Sequence, residues 1–84
     1  MSPIKLYTSR NCPICDQVKT ALKPLPHQVL SAEENMDDLI AEVTRRDLDH
    51  RQIRHAPVMI VPDCNLVWTG ADCLIAIEDK EWED

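Results

Sequence analysis

The sequence contains no phenylalanine and a single glycine, and its aromatic residues are one tyrosine and two tryptophans. No apolar run approaches the length needed to cross a bilayer, so a membrane-embedded protein is not expected. The opening stretch MSPIKLYTS has no signal-peptide h-region, which makes the cytoplasm the expected location. Internal repeats, a linker and low-complexity segments are all lacking. Positive charge is scarce: nine Lys and Arg stand against 15 Asp and Glu, for a net charge of −6. Phosphate contacts need clustered cations, so nucleic acid is not an expected partner. The basic residues between Arg45 and Arg54 would form at most a local positive patch. What is present suffices for one small domain over residues 1–84. The chain is 44 % hydrophobic, enough for one sheet with helices and too much for a disordered tail. A chain this short buries roughly 60–65 % of its unfolded surface, so the core is thin.

The pattern predicts seven elements. IKLYT alternates and reads as a strand, followed by the turn-like SRN. Pro13 suits the first turn of a helix, where its missing N–H costs nothing. Ile14, Val18, Ala21 and Leu22 recur at helical spacing, giving a helix over about 13–23 that Pro24 and Pro26 stop. HQVLS reads as a second strand. A second helix follows, with Ser31/Glu34 and Asn35/Asp38 as capping pairs. Its expected buried stripe is Met36, Leu39, Ile40 and Val43. Acids lie early and Arg45 and Arg46 late, which suits the helix dipole. RQIRH is a connection; PVMIV is a central strand, PDCN a turn and LVW the returning hairpin strand. A last helix starts near TGAD, with Thr69 as its cap and Asp72 at its third position, and the acidic tail DKEWED is expected to fray. The order is β-α-β-α-β-β-α. The first β-α-β should place strands 1 and 2 parallel, the last two strands should form an antiparallel hairpin, and helices should cover both faces of the sheet.

The four cysteines do not pair off as a disulfide scaffold. Cys12 and Cys15 form CxxC, whereas Cys64 and Cys73 stand apart. Without an export signal, CxxC points to metal binding or redox chemistry. A zinc ribbon needs a second CxxC or a His pair, and neither Cys64 with Cys73 nor His50 with His55 completes a clear tetrahedral set, so no metal ligand is assigned. Position favours redox catalysis. Cys12 follows a strand and opens a helix, where unpaired N–H groups and the helix dipole stabilise a thiolate. Such a site lowers a cysteine pKa from its usual value near 8.5 and makes the sulfur a nucleophile at neutral pH. Cys15, one turn on, faces the same side nearer the core and is placed to resolve a mixed disulfide on Cys12. Cys64 and Cys73 read as small apolar fillers or incidental thiols, Cys73 being open to glutathionylation if exposed. Trp68 and Trp82 read as packing residues.

CPIC at 12–15, RHAPVMIV at 54–61 and TGADCLIAI at 69–77, in that order, make the chain resemble the glutaredoxins of the thioredoxin fold, above all the small phage-type members. The resemblance spans about residues 4–78. It implies a thioredoxin-like α/β fold with a four-stranded mixed sheet, Cys12 as attacking thiolate and Cys15 as resolving thiol. It implies a cis peptide before Pro57, which would keep a bulky strand residue off the sulfurs and offer the backbone of Ala56 to glutathione. Asp72 and the N–H groups from Gly70 through Ala71 to Cys73 would receive the γ-glutamyl end. Tyr7 would lie beside the site, with Pro13 and Ile14 completing the active motif. Without the resemblance, Pro57 reads as an ordinary trans proline opening a strand and Asp72 as a helix cap.

The chain departs from the family pattern at Ser9, where Lys or Arg is usual, at His55-Ala56 for Thr-Val, at Ile14 for Tyr, and at Thr69 for the first Gly of a pair. These changes bear on glutathione affinity more than on dithiol chemistry. Arg10, Arg51 or Arg54 could pair with a glutathione carboxylate, although a solvated Arg10 is the ordinary case. The implied activity is thiol–disulfide exchange on protein disulfides or glutathione mixed disulfides by a monomer. Glutathione would be co-substrate, no cofactor would be bound, and ribonucleotide reductase is an implied client. Two alternatives stand beside it: a thioredoxin-like redoxin recycled by thioredoxin reductase, and an iron–sulfur or zinc carrier, which Pro13 disfavours by resemblance.

His55, two residues before Pro57, is either a half-exposed surface histidine or a group that, protonated, stabilises the Cys12 thiolate further. If it is the latter, His55→Ala raises the pKa read from the pH dependence of Cys12 alkylation, and an unchanged pKa removes the coupling.

Overall fold

Strand β1 (Ile4–Thr8) sets the layering because its side chains alternate across the sheet. Ile4 and Leu6 pack into one apolar cluster and Tyr7 into another on the opposite face. The computed structural model describes residues 3–47, 56–62 and 67–80. Its elements follow in the order β1, α1 (Pro13–Leu22), β2 (His27–Ser31), α2 (Met36–Arg45), β3 (Val58–Ile60), β4 (Val67–Thr69) and α3 (Asp72–Asp79). The expected order β-α-β-α-β-β-α is therefore observed.

The four strands lie in the order β2-β1-β3-β4. β1 and β2 run parallel, with Leu6 opposite Val29. β1 and β3 run antiparallel, with Leu6 opposite Met59, and the β3–β4 hairpin pairs Met59 with Trp68. One face carries Leu6, Met59 and Trp68 under Val18 and Leu22 of α1 and Cys73 and Ala76 of α3. The other carries Tyr7, Val58 and Ile60 under Leu39 and Val43 of α2. Helices cover both faces, as the apolar strands require. Among the described residues no helix is long and apolar enough to cross a membrane.

Helix α1 buries Cys15, Val18 and Leu22, a stripe at three- and four-residue spacing. Ile14 and Ala21, expected in that stripe, lie at its margins and are half-buried. The helix stops where Pro24 removes a donor, and the Leu25 N–H then donates to Leu22 O at 2.8 Å.

Helix α2 departs from expectation in three ways. Its cap residue Asn35 makes no side-chain cap bond; its amide donates to Ser31 O at 2.9 Å instead. The Ser31 hydroxyl accepts the Glu34 N–H at 3.3 Å, a bond inside the preceding turn rather than a cap on the helix. Met36, expected in the buried stripe, is 45 % exposed. Periodicity fixes its angle around the helix, not how far along the axis the covering layer reaches. Glu42 and Arg46 are buried in its place. Arg46 donates to Glu42 Oε2 at 3.2 Å and to Glu42 O at 2.9 Å. It also donates to Val61 O at 3.4 Å and Pro62 O at 3.3 Å, tying the end of α2 to the end of β3.

Helix α3 also starts differently. Thr69 is the last residue of β4, opposite Val58, so it cannot cap. Ala71 takes the cap position without a side-chain bond, and Asp72 is the first helical residue rather than the third. The expected fraying of the tail concerns residues that lie mostly outside the described ones.

Arg46 is 3 % exposed at its side chain and Glu42 10 %. Glu42→Ala takes away the carboxylate that faces this buried guanidinium and is expected to lower the unfolding free energy by about 3 kcal/mol. Urea denaturation should show it, and adding Arg46→Met to Glu42→Ala should recover part of the loss.

Candidate active site

Cys12 occupies the cap position of α1, with φ −118° and ψ 95°. The residue before it, Asn11, takes the left-handed conformation at φ 53°, which asparagine tolerates better than most residues. That turn brings the chain from β1 into the helix. Pro13 follows at the first turn. The Cys15 N–H donates to Cys12 Sγ at 3.1 Å, and the Asp16 N–H donates to Cys12 O at 3.3 Å. The cysteine sulfur thus does what Ser or Asp oxygens do at other helix starts.

Cys12 and Cys15 are joined in a disulfide. Their exposure differs: Cys12 is half-buried, while Cys15 is 1 % exposed. An incoming thiol or disulfide can reach Cys12 and cannot reach Cys15. The Cys15 N–H and the positive end of α1 lie against the Cys12 sulfur, an arrangement of the kind that favours a thiolate.

The Ala56–Pro57 peptide is cis, the geometry that the resemblance implied. Cys12 Sγ lies 3.8 Å from Ala56 O, so the fold brings residues 44 positions apart together. Pro57 is fully buried. Its carbonyl accepts the Gly70 N–H at 2.9 Å, and Gly70 O accepts the Cys73 N–H at 3.2 Å. A continuous line of contacts runs from the dithiol through Ala56 and Pro57 to the turn that opens α3. Gly70 has φ +57°, the left-handed region where an added Cβ is strained. Ala71 and Asp72 beside it are exposed, and Gly70 is half-buried.

The other residues that the sequence singled out are dispersed. Ile14 is half-buried against the α1–α3 cluster. Arg10 and Pro13 are exposed. Tyr7 is fully buried on the α2 face, and its hydroxyl donates to Asp38 in the first turn of α2. That phenol is committed to Asp38 rather than offered to the sulfurs. His55, Arg51, Arg54, His50, Cys64 and Trp82 lie outside the described residues. Among the described residues no group of three or more His, Cys, Asp and Glu side chains could hold a metal ion.

Two participants carry no sequence signal. Asp38 reads as a helix-start acid, yet it partners Tyr7 and also Lys5 at 3.4 Å. Cys73 reads as a filler and is fully buried, but its Sγ lies 3.4 Å from Trp68 O and 3.8 Å from Pro57 O. Burial pushes its thiol pKa up to about 12, so it stays neutral and unreactive at pH 7.

No protein-family model matches the chain, and no curated protein sequence matches it. Among solved structures it is similar to the glutaredoxin-like protein NrdH-redoxin from Escherichia coli, whose structure is described as the basis for a thioredoxin-like activity profile. The two align with a TM-score of 0.66 over 93 % of each chain at 22 % identity. The chain has the thioredoxin-like fold.

The Tyr7 hydroxyl holds Asp38 ionised below its usual range, with Lys5 adding to the effect. Tyr7 itself is pushed far up, first by burial and then by Asp38. A lowered carboxylate pKa stabilises the fold above the unfolded value of about 4 and loses that contribution as pH falls through the lowered folded value. Asp38→Asn should therefore flatten the fall in urea midpoint as the pH drops below the ordinary carboxylate range. An acid limb as steep as the wild type's would assign the loss to other carboxylates.

Proposed function

We propose that the protein is a small thiol–disulfide oxidoreductase acting through Cys12 and Cys15. The observation that carries this is the asymmetric dithiol: an accessible sulfur capping a helix, joined to a buried one, across from a cis-proline. In the reduced protein the Cys12 thiolate attacks one sulfur of a substrate disulfide. A Cys12–substrate mixed disulfide forms and the other substrate sulfur leaves as a thiolate. Cys15 then loses its proton and attacks Cys12 Sγ, which releases the second substrate thiolate. The substrate has gained two electrons and the Cys12–Cys15 disulfide remains. Two glutathione thiols reduce it again and leave as glutathione disulfide.

Glutathione is the co-substrate in this reading, with Ala56, Pro57 and the Gly70, Ala71 and Asp72 turn as its contact surface and Arg10 as a partner for a carboxylate. Support comes from the line of contacts that runs from Cys12 Sγ at Ala56 O through the Pro57–Gly70 hydrogen bond to the start of α3. The protein works as a cytoplasmic monomer on disulfide-containing clients, ribonucleotide reductase among the candidates.

A second reading has its own support. The NrdH-redoxin with which the chain shares its fold is described by a thioredoxin-like activity profile, and Ser9 and Thr69 stand where the glutaredoxin pattern has Lys or Arg and Gly. In this reading a flavoprotein thioredoxin reductase, rather than glutathione, returns the two electrons.

The deciding assay is glutathione-dependent reduction of a small mixed disulfide, coupled to glutathione reductase and NADPH. Wild type is expected to turn over, Cys12→Ser to fall to the uncatalysed rate, and Cys15→Ser to keep activity on the mixed disulfide while losing it on insulin. No turnover with glutathione, together with insulin reduction driven by thioredoxin reductase, would select the second reading. No reduction by either route would sink both.

A further inference from the structure

The carbonyl of Pro57 is where the segment facing the dithiol meets the start of α3. It accepts the Gly70 N–H at 2.9 Å and lies 3.8 Å from Cys73 Sγ. Cys73 Sγ lies closer still, 3.4 Å, to Trp68 O. One buried thiol therefore sits between two carbonyls, one on the cis-proline segment and one on β4. Burial keeps its proton on at neutral pH, so toward those oxygens it acts only as a donor. The surrounding turn is otherwise tied by backbone bonds, Gly70 N–H to Pro57 O, Cys73 N–H to Gly70 O and Leu74 N–H to Ala71 O. Ala71, at the cap position, supplies no side-chain bond. Among the described residues nothing lies within 4 Å of a Cβ built on Gly70.

We propose that Cys73 is a positioning residue. Its thiol, shared between the Trp68 and Pro57 carbonyls, locks the cis-Pro57 segment to the turn at Gly70. It thereby fixes the spacing between Cys12 and that turn, across which a disulfide substrate is held. The kinetic consequence rests on the oxidoreductase reading; the structural one does not. No sulfur chemistry at Cys73 is involved. It neither attacks substrate nor forms a disulfide, and its part is to hold a distance.

The test compares Cys73→Ser, which keeps a donor, with Cys73→Val, which fills a similar space without one. Cys73→Ala serves the same purpose if the valine variant fails to fold. Two quantities are read: amide hydrogen exchange at Gly70, normalised to the Val18 amide in α1, and KM and kcat for a glutathione mixed disulfide. The donor-less variant should speed Gly70 exchange about tenfold relative to Val18, because a local opening becomes easier while the global one is divided out. It should raise KM roughly three- to tenfold with kcat within about twofold, the mark of lost binding geometry rather than lost chemistry. Cys73→Ser should stay within about twofold of wild type in both. Wild-type exchange at Gly70 in the donor-less variant would overturn the proposal, and so would a serine variant as impaired as the valine one. If wild type reduces no mixed disulfide, the oxidoreductase reading fails, and the Gly70 exchange ratio still decides whether the thiol holds the turn.

Discussion

A helix start leaves backbone N–H groups without partners, and here a sulfur is one of the acceptors that receives them. This interaction organises the reacting end of the molecule. Cys12 must sit outside the helix to cap it, so it stays within reach of solvent. Cys15, one turn further, falls on the stripe that buries Val18 and Leu22, so it is closed off. The difference in access between Cys12 and Cys15 thus follows from helix geometry before any substrate is considered. The same N–H that satisfies the cap stabilises negative charge on the sulfur, which joins the structural requirement to the chemical one.

The two faces of the sheet handle polarity differently. On the α2 face a buried phenol is matched to Asp38, and a buried guanidinium to Glu42 and two carbonyls. Among the described residues no buried side-chain nitrogen or oxygen lacks a partner. A thin core has little apolar surplus with which to offset an orphaned polar group. The α1–α3 face, which carries the dithiol helix, is built from apolar side chains together with the neutral thiol of Cys73.

The element order was readable because each rule that produces it is local. CxxC followed by a helical stripe, proline stops and a β-branched run before a turn all concern residues within a few positions of one another. The positions of Cys12 and Cys15 could be read the same way. The failures are equally specific. Met36 lies at the right helical angle and is exposed. Asn35 is a good capping residue and bonds backward to Ser31 instead. Thr69 looked like a cap and is held in the β4 ladder by Val58. In each case a local preference met a partner or a boundary that only the assembled fold supplies.

What the sequence by itself determined is the β-α-β-α-β-β-α order and the dithiol at the mouth of the first helix. These depend on periods of two and about 3.6 residues and on the backbone limits of proline and glycine. Tertiary structure alone decided that Tyr7 meets Asp38, 31 residues on, and that Ala56 lies across from Cys12, 44 residues on. It also decided that Cys73 stands between Pro57 and Trp68. The Ala56 and Cys73 contacts exist only once β3 lies between β1 and β4, and the Tyr7 contact only once α2 covers β1. No pattern shorter than the whole sheet encodes them.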